Sequence, residues 1–375
     1  MKRVRFVGLD VHAQKISVAV AEEGAQGEVR CLGEIANRED SIGKLVKQLG
    51  AVEQLRVCYE AGPTGYVTYW QLVKLGVSCE VIAPSLIPVK PGDRVKTNRR
   101  DAEKLARSYR SGDLTPVWVP DQQHEALRDL VRAREMAKKD QTRARHRLSK
   151  FLLRQGQRAP MGVQACTQRY MRWIGSVQFG PVAQQVVLSD YLHEVEHSSA
   201  RVQRLEAALG EAVQAAPAEM RAVIEALQSL RGVAEVTAAT IVSEVGQLSR
   251  FAGARQLMGY SGAVASEDSS GERQHRGAIT KAGNAHLRRV VLEAAWAYRH
   301  KPAVGSTLRR RQAKVRAEVV EIAWKAQHRL HQRYGRLIGK GKHKGEVITA
   351  VARELLGFIW AIGVKVESAQ VQPAR

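Results

Sequence analysis

The sequence is short of cysteine, and the few it has form no recognisable site. Four occur in 375 residues, Cys31, Cys58, Cys79 and Cys166, and no two make a C-x-x-C pair. That spacing excludes the usual zinc motifs and gives no disulfide framework. Three of the four lie in apolar, strand-like runs, where a free cysteine serves as a small core residue. A reducing cytoplasm is the expected setting. No apolar run reaches the ~18–20 residues that a bilayer span needs, so no membrane partner is expected. The chain opens MKRVRFVGLDVH, which reads as a strand with basic residues and not as a signal peptide. A Walker-type phosphate loop is missing too. Acids are scarce relative to bases, with 37 Asp and Glu against 59 Lys and Arg, a formal net charge of +22. Such an excess points to a polyanion partner, because Lys and Arg displace counterions from phosphates. An architectural binder without chemistry would show the same excess.

What is present suffices for two or three domains, each with a core, since 44% of the residues are hydrophobic. Residues 1–120 alternate strands and helices. Val4 to Asp10 is an apolar run ending in an acid, and Lys15 to Ala21 follows it closely enough for a hairpin. Val29 to Ile35 reads as a third strand and Ser41 to Leu49 as a helix. Leu55 to Tyr59 is a strand with Glu60 at its end, Thr64 to Leu75 a helix after the Gly62-Pro63 break, and Val77 to Ala83 a further strand. This order predicts an α/β domain on a mixed sheet.

Residues 121–218 form a second region, whose first part, about Asp121 to Arg158, is rich in Arg and Lys and periodic through Leu127, Leu130, Val131, Leu148 and Leu152. A long helix is expected from Pro181 to Leu209, where Leu188, Val195, Val202 and Leu209 recur at heptad spacing. Two such helices around a glycine-containing break suggest an antiparallel coiled-coil hairpin; a plain helical bundle is the alternative. Residues 219–375 read as a mostly α C-terminal region, with an irregular glycine-rich stretch from Gly259 to Gly283 and a disordered end from Ser368.

Acids punctuate the first region. Asp10 and Glu60 each end a strand, and Asp101 opens a helix in KTNRRDAEKLA, three residues after Asn98. In an open α/β sheet the strand ends form the natural crevice for ligands. Carboxylates gathered there repel unless a cation joins them, and oxygen donors favour Mg²⁺ or Mn²⁺. Taken singly, an acid at a strand end is more often a cap or turn residue; the combination in order is the stronger signal.

In the C-terminal third, Leu227 to Gly246 reads as helix, turn at Gly232, helix. Such a helix-hairpin-helix-like element can offer backbone N–H groups to a phosphate; an ordinary helix corner is the other reading. Further on, Ser269, Ser270 and Gly271 lie in a polar loop among Arg273, His275, Arg276, Lys281, Arg288 and Arg289. A serine hydroxyl is a weak nucleophile until activated, and neighbouring cations would hold a scissile phosphate. A flexible basic loop that binds phosphates has the same composition.

GLDVH at 8–12, YEAGPTG at 59–65 and KTNRRDAEKLA at 96–106 resemble the three blocks of the DEDD transposases of the IS110 insertion-sequence family. The block from Tyr260 to Trp296, with its SG pair, I-T-K-x-G-N stretch and L-R-R helix, resembles the same family's C-terminal domain. The likeness covers about Val4 to Gly363 and ends on RELLGFIWAIG. It implies an N-terminal RuvC/RNase H-like fold in which Asp10, Glu60 and Asp101 hold Mg²⁺. The family pattern has Asp where this chain has Asn98, whose side-chain oxygen can ligate a metal without bringing charge; Asp93 is a nearby substitute. The likeness also implies a serine nucleophile at Ser270, with Ser269 as runner-up, forming a covalent 5′-phosphoserine link to DNA. It implies a structured guide RNA (a bridge RNA), and a homo-oligomer, dimer to tetramer, pairing the acids of one subunit with the serine of another. A hydrolytic nuclease resembling a junction resolvase, and a nucleic-acid binder without catalysis, remain as alternative readings.

Overall fold

The computed structural model describes residues 3–24, 27–89, 92, 97–271 and 273–371. The chain folds as two units, residues 1–119 and 120–375.

In the first unit, alternation of apolar residues makes β1 (Arg5–Val11), β2 (Lys15–Glu22) and β3 (Val29–Ala36). They are followed by α1 (Glu39–Leu49), β4 (Leu55–Glu60), α2 (Val67–Lys74), β5 (Ser78–Ile82) and α3 (Asn98–Ser111). The sheet runs β3-β2-β1-β4-β5. β1 pairs antiparallel with β2 and parallel with β4, and β4 pairs parallel with β5, so the sheet is mixed as expected. Its two faces differ in side-chain size. Val7, Leu9, Ile16, Val18, Val57 and Tyr59 pack with Ile42, Leu45 and Val46 of α1 and Leu72 of α2. The opposite face is lined by Gly8, Ala19, Ala21 and Cys58, small enough for α3 to lie close through Ala102, Leu105 and Ala106. Cys31, Cys58 and Cys79 sit on β3, β4 and β5, and burial pushes the Cys58 thiol well above its usual range, which suits a core residue.

The second unit begins with α4 (Gln122–Arg154), α5 (Gln168–Gly175) and α6 (Val182–Ala215). Arg134 bonds Glu206, Gln141 bonds Ser199 and Gln155 bonds Gln184. Partners rise in number along α4 as they fall along α6, so the two helices are antiparallel. The heptad positions Leu188, Val195, Val202 and Leu209 are all buried. Away from the base, Phe151 meets Phe179 and Tyr191 edge to face, and Ile174 of α5 completes that core.

Then come α7 (Ala218–Leu227), α8 (Glu235–Val245), α9 (Ala254–Tyr260), the strands β6 (Ala265–Glu267) and β7 (Arg276–Ile279), α10 (Ala285–Ala295), α11 (Ser306–Gln312), α12 (Ala317–Gly339) and α13 (Lys344–Val371). Leu127 and Val131 of α4, and Leu209 and Val213 of α6, share one core with these C-terminal helices.

Three expectations need correction. The stretch Gly259 to Gly283 is not wholly irregular: β6 and β7 pair antiparallel, in strands of three and four residues that are too short to show alternation. The end from Ser368 is helical through Val371, because the Glu367 carboxylate accepts the amides of Leu248 (2.8 Å) and Ser249 (2.7 Å) and holds the last turns of α13; residues 372–375 lie outside the described residues. Finally, Lys344–Gln370 is long and apolar enough to cross a membrane by length and composition, its few charges being too sparse to break the run. Half of its most apolar window is nonetheless buried inside the second unit, where Val351, Leu355, Ile359 and Ile362 belong to the core.

Candidate active site

The parallel register of β1 and β4 places Leu9 opposite Tyr59, so the next residues, Asp10, one before the end of β1, and Glu60, the last of β4, lie at the C-terminal ends of neighbouring strands. Side chains two apart on a strand share a face. Asp10 therefore shares the face of Gly8, and Glu60 that of Cys58, and both faces lie under α3. Along that helix Tyr109 stacks edge-on with Phe6, while Ala102 and Ala106 cover Gly8. The helix thus runs antiparallel to β1, and its first turn, with Asn98 and Asp101, lies toward the end of β1 that carries Asp10. Thr97 fixes that turn as the N-cap, its Oγ1 accepting the Arg100 amide at 3.3 Å. Asp101 in the first turn also suits the positive end of the helix dipole.

Asp10 is partly buried, with Oδ2 3.1 Å from Nε2 of His12. Glu60 is exposed. The loop after it is anchored by Tyr59, whose buried hydroxyl donates to the Gly65 carbonyl at 3.1 Å; burial raises that phenol above its usual range. Three carboxylates and an amide oxygen suit a hard divalent cation by donor type. Among the described residues, however, no three His, Cys, Asp or Glu side chains stand together as a metal-holding group. Asp93 lies outside the described residues.

The second cluster of residues lies in the second unit. Ser270 is at the tip of the β6–β7 ribbon, exchanging backbone hydrogen bonds with Arg273 at 3.1 Å in both directions. Ser269 is engaged within the ribbon: its hydroxyl donates to Glu267 Oε1 (3.1 Å) and accepts the His275 amide (3.3 Å). Ser270 is exposed, and among the described residues its hydroxyl has no hydrogen-bond partner. Arg273 and His275 are exposed beside it; the Arg276 side chain lies outside the described residues. Lys281 is exposed at the foot of the ribbon with φ +56°.

The other basic residues are held by the protein. Arg288 donates to the Ser261 carbonyl at 2.7 Å. Arg289 pairs with Glu135 (3.0 Å) and Glu293 (3.0 Å). Gly232 forms the turn before α8 with φ +83°, and a Cβ there would stand 2.4 Å from the Ala294 carbonyl oxygen. Its glycine is thus required by packing on the end of α10.

Two family models match the chain. One, of the DEDD transposases of the IS110 family, described as a transposase, covers residues 7–155. The other, of the transposase IS116/IS110/IS902 family, covers residues 224–309. The y4qE protein of Sinorhizobium fredii, named as a transposase, is 47% identical over 96% of this chain and 88% of its own length. The chain belongs to the IS110 family of transposases. The transposase for insertion sequence element IS1533 of Leptospira borgpetersenii is 32% identical over 91% of this chain and 99% of its own. This transposase is therefore a DNA-cutting enzyme, and the net charge of +22 agrees with a DNA partner.

Sequence reasoning missed a group beneath the ribbon. Glu244 of α8 is fully buried and accepts from Arg132 (2.7 and 2.9 Å) and from Asn284 Nδ2 (2.8 Å). Burial raises its pKa, but the bonds from Arg132 and Asn284 outweigh that and hold it below the usual carboxylate range. The available signal was a lone charge inside TIVSEVG.

Proposed function

We propose that this transposase is an RNA-guided serine recombinase with a RuvC-like first unit. Asp10, Glu60 and Asp101, with Asn98 as a neutral fourth donor, would hold Mg²⁺ or Mn²⁺ near the C-terminal ends of β1 and β4. Such an ion would offset negative charge on the phosphate as the serine attacks. Ser270 supplies the nucleophile. Its oxygen bonds to phosphorus as the bond to the 3′-oxygen breaks; the serine loses its proton, and the departing 3′-oxygen gains one. The product is a 5′-phosphoserine link and a free 3′-hydroxyl, which conserves the phosphodiester bond energy for rejoining and needs no ATP. Arg273 and His275 flank that phosphate. A bridge RNA pairs with target and donor DNA, leaving backbone and shape to the protein. Acids of one subunit act with the serine of another in a dimer or tetramer.

The observation that carries this reading is the direction of α3, whose first turn lies toward the C-terminal ends of the central strands β1 and β4, where Asp10 and Glu60 stand. For the serine, the support is its exposed place at a ribbon tip, next to a neighbour already engaged by Glu267. Covalent trapping tests both. Protein, its co-expressed RNA and a labelled duplex of the element's terminus are incubated with Mg²⁺ and denatured. A protein–DNA adduct is expected, lost in Ser270→Ala, retained in Ser269→Ala, and lost in Asp10→Asn. Cleaved DNA without an adduct would establish a hydrolytic nuclease in its place.

A further inference from the structure

The geometry points to Glu244 and Asn284 as a paired positioning device that fixes the base of the Ser270 ribbon and ties it to α4. The catalytic part of this inference rests on the serine reading above.

A carboxylate with no exposed surface is costly unless its lone pairs are filled by cations and donors. Glu244 has them filled from two directions. From α4, Arg132 donates twice, at 2.7 and 2.9 Å, and Arg128 Nε stands 3.8 Å away. From the far side, Asn284 Nδ2 donates at 2.8 Å. The main-chain carbonyl of Glu244 is engaged as well, accepting the Tyr260 hydroxyl at 2.9 Å.

Tyr260 and Asn284 are the two points between which the chain leaves the core and returns. The Asn284 amide donates to the Tyr260 carbonyl at 2.8 Å, the Lys281 amide to Gly262 at 3.1 Å and the Thr280 amide to Val264 at 2.9 Å. Above these rungs stand β6 and β7 with Ser270 at their tip. Both legs of the ribbon are therefore fastened to one residue of α8, and that residue is fastened to the long helix α4.

Asn284 performs two tasks that few side chains combine. Its Oδ1 accepts the Leu287 amide at 2.9 Å and caps α10, while its Nδ2 serves Glu244. An aspartate has the same shape and caps as well, but it cannot donate, and it would set a like charge against Glu244. The substitution Asn284→Asp therefore separates capping from positioning. The double variant Asn284→Asp with Glu244→Gln reverses donor and acceptor and restores that bond, while giving up the Arg132 Nη2 bond to the same carboxylate oxygen and keeping the Arg132 Nε bond to the other.

The test uses the full chain. In Asn284→Asp we expect binding of the element-terminus duplex to stay within about twofold, while the rate of Ser270 adduct formation falls about 10–100-fold. Amide exchange at Thr280 and Lys281 should accelerate, and the double variant, which keeps one of the two Arg132 bonds, should recover a part of both. Asn284→Ser, which also caps, should show the same split if Asn284→Asp folds poorly. A wild-type adduct rate with wild-type protection in these variants would overturn the inference. So would a loss that tracks a lowered Tm and is not recovered by the double variant. An adduct that persists in Ser270→Ala defeats the serine reading alone; exchange at Thr280 and Lys281 still decides whether the pair holds the ribbon.

Discussion

A Cβ at position 8 would stand 2.4 Å from the carbonyl oxygen of Ala102 and 2.4 Å from the amide nitrogen of Ala106. Both are backbone atoms of α3 and cannot turn aside as a side chain could. Gly8→Ala should therefore push α3 off the sheet, costing on the order of 1–3 kcal/mol, and shift the first turn of α3, which carries Asp101. Denaturant melting should record the first effect and the trapping assay the second; an unchanged midpoint would contradict the close approach. A different residue governs acid stability. Glu135, nearly buried, is desolvated, which raises its pKa, but Lys139, His286 and Arg289 pull it down to about 2 from an ordinary 4.5. A depressed folded pKa stabilises above the unfolded value and loses that contribution as pH falls through the folded one. The loss, about 3 kcal/mol in full, should run from about pH 4.5 down to about pH 2, and Glu135→Gln should flatten that limb in a pH series of melts. At this scale legibility was uneven. Asp10 and Glu60 could be singled out because an acid at the end of a strand breaks an apolar pattern visibly, and Asp101 because its block resembles one of the family's. Glu244 and Glu135 could not, because apart from Lys139 their partners lie far away in sequence, at Arg132 and Asn284 for the one and His286 and Arg289 for the other, and only folding brings them together.

The elements divide in the same way. The pair α4 and α6 was readable because Leu188, Val195, Val202 and Leu209 repeat at a spacing that keeps one side of a helix buried, and all four are buried. Leu209 sits where that pair meets the C-terminal helices, in one core with Leu127 and Val131. Leu209→Ala should cost about 2–5 kcal/mol. The same change at exposed Leu153 should cost well under 1 kcal/mol, as surface changes do. Comparable losses in thermal or urea melts would mean that the heptad does not mark the core. The β6–β7 ribbon was not readable, since three- and four-residue strands carry no periodicity and its turn looks like any polar loop. The last turns of α13 were hidden for another reason: SAQ reads as a fraying end, and what holds it is a carboxylate reaching Leu248 and Ser249, over a hundred residues earlier in the chain.

At the scale of the whole molecule, several acids of the second unit are spent on bracing it, while the chain as a whole keeps a surplus of bases. Glu135, Glu206, Glu244 and Glu354 each bind one or more arginines of another element, so these pairs brace helices and cancel charge internally. Exposed bases at the ribbon and its foot, Arg273 and Lys281, have no such carboxylate among the described residues. The excess of +22 agrees with a phosphate-bearing partner. If about six to ten phosphates are neutralised, affinity for DNA should fall roughly 10³–10⁵-fold between 50 and 200 mM salt, with log Kd linear in log salt. Arg273→Ala should lower that slope by about one phosphate, whereas Arg289→Ala, which removes a cation already shared by Glu135 and Glu293, should leave the slope unchanged and lower the melting midpoint. Fluorescence anisotropy on a labelled duplex over a salt series separates the two. Equal slope changes from both variants would mean that Arg289 gives up its carboxylates when DNA arrives, and that the division of labour between bracing and binding arginines holds only in the free protein.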